Sequence, residues 1–165
     1  MSKSQTSKPI VLAVSHCLLN PKVRAEGLSQ HPEIKKKILN FAEKYNAEIR
    51  QLPCPEFLFL GPREPKTYDE YTEIEGFRDS CGKLAEDITR ALKKFKGFSV
   101  IVVGIARSPS CSISYVHDKN DKLKKEEGLL MYSLRRKIKA EFTEIDYHDI
   151  DASIEKIEKI IETAF

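Results

Sequence analysis

The 165-residue chain contains no apolar run approaching the roughly 20 residues that a membrane-spanning helix needs. Its start, MSKSQTSKP, is polar with no apolar stretch behind it, so residues 1–8 read as a short disordered tail rather than an export signal. Net charge is also small. Twenty-eight basic residues against 25 acidic ones leave +3, far from the dense basic footprint of a dedicated nucleic-acid binder. There is no internal repeat, no low-complexity block and no CxxC knuckle. Cysteine occurs four times, at Cys17, Cys54, Cys81 and Cys111. With no export signal expected, the pattern argues against a disulfide framework and points to packing, catalysis or metal binding for the thiols. A soluble cytoplasmic protein is expected.

Short strand-like runs alternate with helical periods. Pro9 to Val14 and Phe98 to Ile105 (FSVIVVGI) are continuous apolar runs, the habit of strands covered on both faces. Ala47 to Pro53 and Phe142 to His148 alternate apolar and polar residues, as strands nearer an edge do. Between them, Ile34, Ile38, Phe41 and Tyr45 mark one helix, and Phe77, Leu84, Ile88, Leu92 and Phe95 a second closed by Gly97. A third is expected over Glu126 to Ala140, with Leu130, Leu134 and Ile138 inward, and a last one over Ile154, Ile157, Ile161 and Ala164. Four strand–helix repeats predict one α/β domain over 9–165. Its sheet is open, Rossmann-like and mainly parallel, with about four strands in an order such as 2-1-3-4 and helices on both faces. The segment Phe57 to Glu75 lacks a clear period and reads as a long loop, a length that is usually functional or disordered.

Three cysteines fall at strand ends. Cys17 follows the first strand, Cys54 the second, and Cys111 the third after a short loop. In an open parallel sheet those carboxyl ends share one edge, where ligands bind, so three thiols distant in sequence converge. Pro55 and Pro109 stiffen the chain beside two of them. Cys81 lies on the apolar stripe of the second helix and reads as a small buried hydrophobe. Three thiolates suit zinc, with His16, His117 or a water as fourth ligand, and equally an iron–sulfur cluster with one iron lacking a protein thiolate. Thiolate chemistry leaves both open.

The motifs carry a resemblance. SHCLLNPKVRAEG resembles the SACLLG…VRYDG opening of the thiouracil desulfidase (TudS-like) family. LPCPEFLFLGPREP resembles its CPE segment, and RSPSC its SPSCG signature. The three segments keep the family's order across about residues 10–140. The resemblance implies a [4Fe-4S] cluster held by Cys17, Cys54 and Cys111, the fourth iron open to a substrate thiocarbonyl. Desulfuration would then be hydrolytic, with no net electron transfer.

Such chemistry needs a proton acceptor and charge-steadying groups. Glu56, next but one to a ligand, is the first candidate for general base, with pairing to Arg24 or Arg107 as its structural alternative. Ser108 and Ser110 are candidates for positioning substrate or water, or for capping their own turn. Arg24 is a candidate for an anionic substrate or an acidic neighbour, His16 for substrate binding, and both His16 and His117 for acid groups. Departures from the family pattern fall around the substrate: His16 for alanine, Asn20 for glycine, VRAEG for VRYDG, Ser112 for glycine, and a longer, more aromatic FLGPREPKTYDEY. A sulfide carrier, using the same open iron with an extra sulfide ligand, is the alternative to the enzyme. A plain binding module with structural zinc is a third reading. Thiolated tRNA ranks below a small thiolated substrate, because the lysines of KNDKLKK read as a solvated run.

Overall fold

Every residue of the first strand, Ile10–Val14, is buried, so it is covered on both faces as its unbroken apolar run requires. The computed structural model describes residues 8–164; most of the expected disordered tail, residues 1–7, lies outside the described residues, as does the side chain of Ala164. The elements run β1 (Ile10–Val14), α1 (His16–Leu19), a 3-10 turn (Pro21–Val23), α2 (Glu33–Tyr45), β2 (Glu48–Gln51), α3 (Pro55–Leu60), α4 (Tyr68–Glu73) and α5 (Phe77–Leu92). They continue as β3 (Ser99–Ile105), β4 (Tyr115–His117), β5 (Leu123–Lys125), α6 (Leu129–Arg135), β6 (Glu141–Ile145) and α7 (Ile150–Ala164).

The main sheet has the order β2-β1-β3-β6 and is parallel throughout. This is the expected 2-1-3-4 arrangement. Register is set by Leu12 beside Ile49 and Ile101, and by Val103 beside Thr143. β2 is largely exposed, as an edge strand can be. α2 buries Ile34, Ile38, Phe41 and Ala42 on one stripe and ends at Asn46, whose left-handed φ of 51° stops the helix. α5 buries Phe77, Cys81, Ala85, Ile88 and Leu92 at helical spacing.

Three sequence expectations are corrected. The long loop over Phe57 to Glu75 contains two short helices. Their turns are too few to show a period, but Thr67 and Glu70 form a reciprocal capping box at the start of α4. Tyr68, Tyr71, Phe77, Cys81, Val116 and Leu129 make a second small core beneath this segment. The third helix spans only Leu129–Arg135 rather than 126–140. It starts where the Pro109 and Ser110 carbonyls accept its first N–H groups, and must stop before β6 pairs with β3. The lysine-rich KNDKLKK lies across an antiparallel hairpin, β4–β5, with no strand foreseen there. Asp69 anchors it, accepting from Lys119 N and Lys124 Nζ at 2.9 Å each, so Lys124 is engaged rather than merely solvated. Among the described residues, no helix is long and apolar enough to cross a membrane.

Candidate functional site

Each of the three strand-end cysteines is placed by a different local device. Cys17 sits on α1, three residues after the end of β1, and Ser15 N extends the sheet pairing by donating to Val103 O at 3.0 Å. Cys54 is the N-cap of α3, and its sulfur accepts from Phe57 N at 3.4 Å, with Pro55 in the first turn. Cys111 lies in a turn that folds back onto β3, where Ile105 N donates to Cys111 O at 2.9 Å. That approach requires Gly104: a Cβ there would lie 2.0 Å from the Cys111 carbonyl oxygen. The Ser108 hydroxyl accepts from Ser110 N at 3.3 Å and Cys111 N at 3.0 Å, fixing the turn.

Cys17, Cys54 and Cys111 all line one cavity of about 650 Å³ at the carboxyl edge of the sheet. Cys81 does not. It is fully buried in the second core, where burial pushes its thiol up to about 12. In the cavity, burial pushes the Cys17 thiol up to about 12 and raises Cys54 and Cys111 as well. The charge that Cys54 would carry raises Cys17 and Cys111 further, which places the three sulfurs in one electrostatic neighbourhood. Three thiols so disposed keep their protons at neutral pH unless a cation joins them.

Glu56 is buried at the cavity wall in a network that the sequence did not disclose. Its Oε1 accepts from Arg63 Nη2 at 2.8 Å and from the Tyr71 hydroxyl at 3.0 Å. Its Oε2 accepts from Ser110 Oγ at 2.8 Å. Arg63 also donates to Val23 O at 2.6 Å, so one guanidinium ties the segments after β1 and β2 together. The partner of Glu56 is therefore Arg63, in place of Arg24 or Arg107. The signal available in sequence was an arginine seven residues on, inside a stretch read as loop. Ser110 is absent from the cavity lining and acts by holding Glu56, whereas Ser108 does line the cavity.

Arg24 lines the cavity with no carboxylate partner among the described residues; its Nη1 donates to Ser29 O and its guanidinium stands 4.2 Å from the Tyr147 ring centroid. Arg107, at a left-handed φ of 67°, is held by Asp146 through bonds of 3.1 and 2.7 Å. Those bonds hold the Asp146 carboxyl down at about 2. His16 is not among the lining residues, and burial lowers its basicity. His117 does line the cavity, with its Nδ1 buried and 3.4 Å from Asp121 but outside hydrogen-bonding geometry. Tyr147 and His31 complete the wall, their rings stacked at 4.8 Å, and the sequence motifs pointed to neither.

Thiolate donors suit zinc and iron–sulfur clusters alike. A tetrahedral zinc needs donors at about 2.0–2.3 Å, hence thiolates only about 3.8 Å from each other. Among the described residues, no three or more His, Cys, Asp or Glu side chains are arranged to hold a metal ion in that way. A cluster distributes its thiolates over separate irons and accepts a wider ring of sulfurs. The buried Ser15 hydroxyl, close to Cys17 in sequence, has no hydrogen-bond partner among the described residues. Three thiols on one cavity thus fit a thiolate-bound metal group.

The fold has a solved counterpart. The [4Fe-4S]-dependent thiouracil desulfidase TudS superposes with a TM-score of 0.57 at 16% identity, over 92% of this chain and 99% of that one. Uncharacterized protein MJ0003 of Methanocaldococcus jannaschii is 37% identical over 106 residues, 62% of this chain and 67% of its own length. The family model described as putative 2-thiouracil desulfurase matches residues 9–122, spanning β1 to β4 and all three cavity cysteines; the chain belongs to that family.

Proposed function

We propose that this protein is an iron–sulfur-dependent desulfidase that removes sulfur from a thiolated pyrimidine or a related thiocarbonyl by hydrolysis. The observation that carries the reading is the meeting of Cys17, Cys54 and Cys111 with Glu56 on one cavity wall. The three thiolates would hold a [4Fe-4S] cluster with one iron free of protein thiolate, and residues 9–165 would act as one cytoplasmic domain. When bound, such a cluster supplies a Lewis-acidic iron for the substrate sulfur.

The overall change is C=S + H₂O → C=O + H₂S, with no electrons exchanged. Glu56 acts as the base. A carboxylate offers about four acceptor positions, and Arg63, Tyr71 and Ser110 use three. The fourth remains for a water, whose proton Glu56 takes as the oxygen attacks the carbon. Arg63 and Tyr71 fix the direction of that carboxylate, and Ser110 holds its other oxygen. Ser108 faces the cavity and contributes a hydroxyl beside the substrate, while Arg24 offers a guanidinium to it. His16 has the weakest support as a substrate group, since it stands off the lining.

Anaerobic reconstitution with iron and sulfide, followed by assay of sulfide release from thiouracil, tests the proposal. The expected result is a brown protein with about four irons per chain that releases sulfide. Glu56→Gln should retain the iron and lose about 10²-fold or more in turnover. A colourless protein with stoichiometric zinc overturns the reading. A loaded protein that takes up an additional sulfide but releases none from substrate would instead be a sulfur carrier.

A further inference from the structure

We infer that Tyr147 is a positioning residue for Cys17, donating its phenolic proton to the ligand sulfur and so tuning the cluster; this rests on the cluster reading above. Tyr147 lies on the loop after β6, beyond residues 9–122 where the family model matches. Its hydroxyl is 3.7 Å from Cys17 Sγ, within hydrogen-bonding reach for sulfur. Once Cys17 is a metal thiolate, the sulfur has no proton to give, and the phenol becomes the donor.

A second of the three sulfurs also accepts a hydrogen bond. Cys54 Sγ accepts from Phe57 N at 3.4 Å. Tyr147 gives Cys17 its donor from a side chain. Hydrogen bonds to ligand sulfur withdraw electron density and are a main determinant of cluster potential.

The loop is built to hold this side chain still. The Tyr147 ring stacks on His31, 25° from parallel, and carries the Arg24 guanidinium against it. On one side, Asp146 is tied to Arg107 by two hydrogen bonds, and its N–H donates to Ser153 Oγ at 2.8 Å. A phenol on a mobile loop would give no defined bond to sulfur. Here both ring and backbone are fixed.

The test compares reconstituted wild type, Tyr147→Phe and His31→Ala. Tyr147→Phe keeps the ring on which His31 and Arg24 pack and deletes only the O–H. Its iron content should equal wild type, its cluster potential should move to more negative values, and loss of iron to a chelator should be several-fold faster. kcat should fall several-fold with KM nearly unchanged, because the substrate does not bind through this hydroxyl. His31→Ala, which loosens the ring but keeps the donor, should shift the potential by clearly less than Tyr147→Phe does. A Tyr147→Phe potential and chelator rate equal to wild type overturn the inference while the cluster reading stands. An equal shift in His31→Ala also overturns it, since packing alone would then account for the effect. A wild-type chain that takes up no cluster overturns both.

Discussion

Arg63 is the residue on which the site's internal order depends most, and Arg63→Met isolates its contribution. The ion pair with Glu56 is buried on both sides, the side chains being 5% and 11% exposed. Removing one member of such a pair strands the other charge, typically at a cost of about 3–5 kcal/mol. The substitution also leaves the Val23 carbonyl without its 2.6 Å partner, a further cost of about 1–3 kcal/mol if no water reaches it. Met fills much of the vacated volume and recovers part of this, so a net loss of about 3–5 kcal/mol is expected. That is a large share of the roughly 5–15 kcal/mol of a typical domain, yet it leaves the chain folded in most of that range. Urea unfolding followed by circular dichroism measures it. Glu56→Gln combined with Arg63→Met removes both charges while Gln retains oxygen and nitrogen for Tyr71 and Ser110. The double variant should therefore be about 2 kcal/mol or more better than the sum of the two singles. A loss below about 1 kcal/mol for Arg63→Met, or strict additivity, would refute the idea of a coupled buried pair.

Other predictions address the remaining parts. Gly104→Ala puts a Cβ 2.0 Å from the Cys111 carbonyl oxygen, so the turn must move; iron content should drop well below one cluster per chain even where circular dichroism stays native-like. Cys81→Ala should lower stability by about 1 kcal/mol and leave iron content unchanged. Asp146, held at about 2 by its bonds to Arg107 against an ordinary value of 3.8, contributes stability that is fully present above pH 4 and lost as pH falls towards 2. Its side chain is more than one-third exposed, so the contribution is at most about 1 kcal/mol, and Asp146→Asn should flatten the acid limb of the stability curve by that amount.

The main sheet was legible because its two inner strands, IVLAV and SVIVVGI, are buried along nearly their whole length and therefore read as unbroken apolar runs. The three cysteine positions followed from strand ends, since topology alone decides which edge they share. The third helix was overread because Ile138 continues the spacing of Leu130 and Leu134. Nothing in that spacing reveals that Arg136 and Lys137 form a turn back to β6. α3 and α4 were lost for a related reason: six residues give too few turns for a period to emerge, although the Thr67–Glu70 capping signal was present. The site's polar network was the least legible part. Arg63 meets Glu56 only because α3 and the chain after Gly61 double back, and Tyr147 meets Cys17 across 130 positions. Such meetings are properties of the closed fold and leave no local pattern.

The distribution of the three cavity cysteines over three strand ends has a consequence for how the protein is made. Cys17 and Cys54 follow β1 and β2, but β1 completes its pairing only when β3 arrives beside it, and Cys111 emerges after β3. A growing polypeptide therefore offers two sulfurs on an unfinished sheet for much of its synthesis. The third joins them only after the central strands have docked. On the proposed ligand set, loading with metal comes after translation of the first two-thirds of the chain, and a chain that has mispaired its strands does not present the full trio.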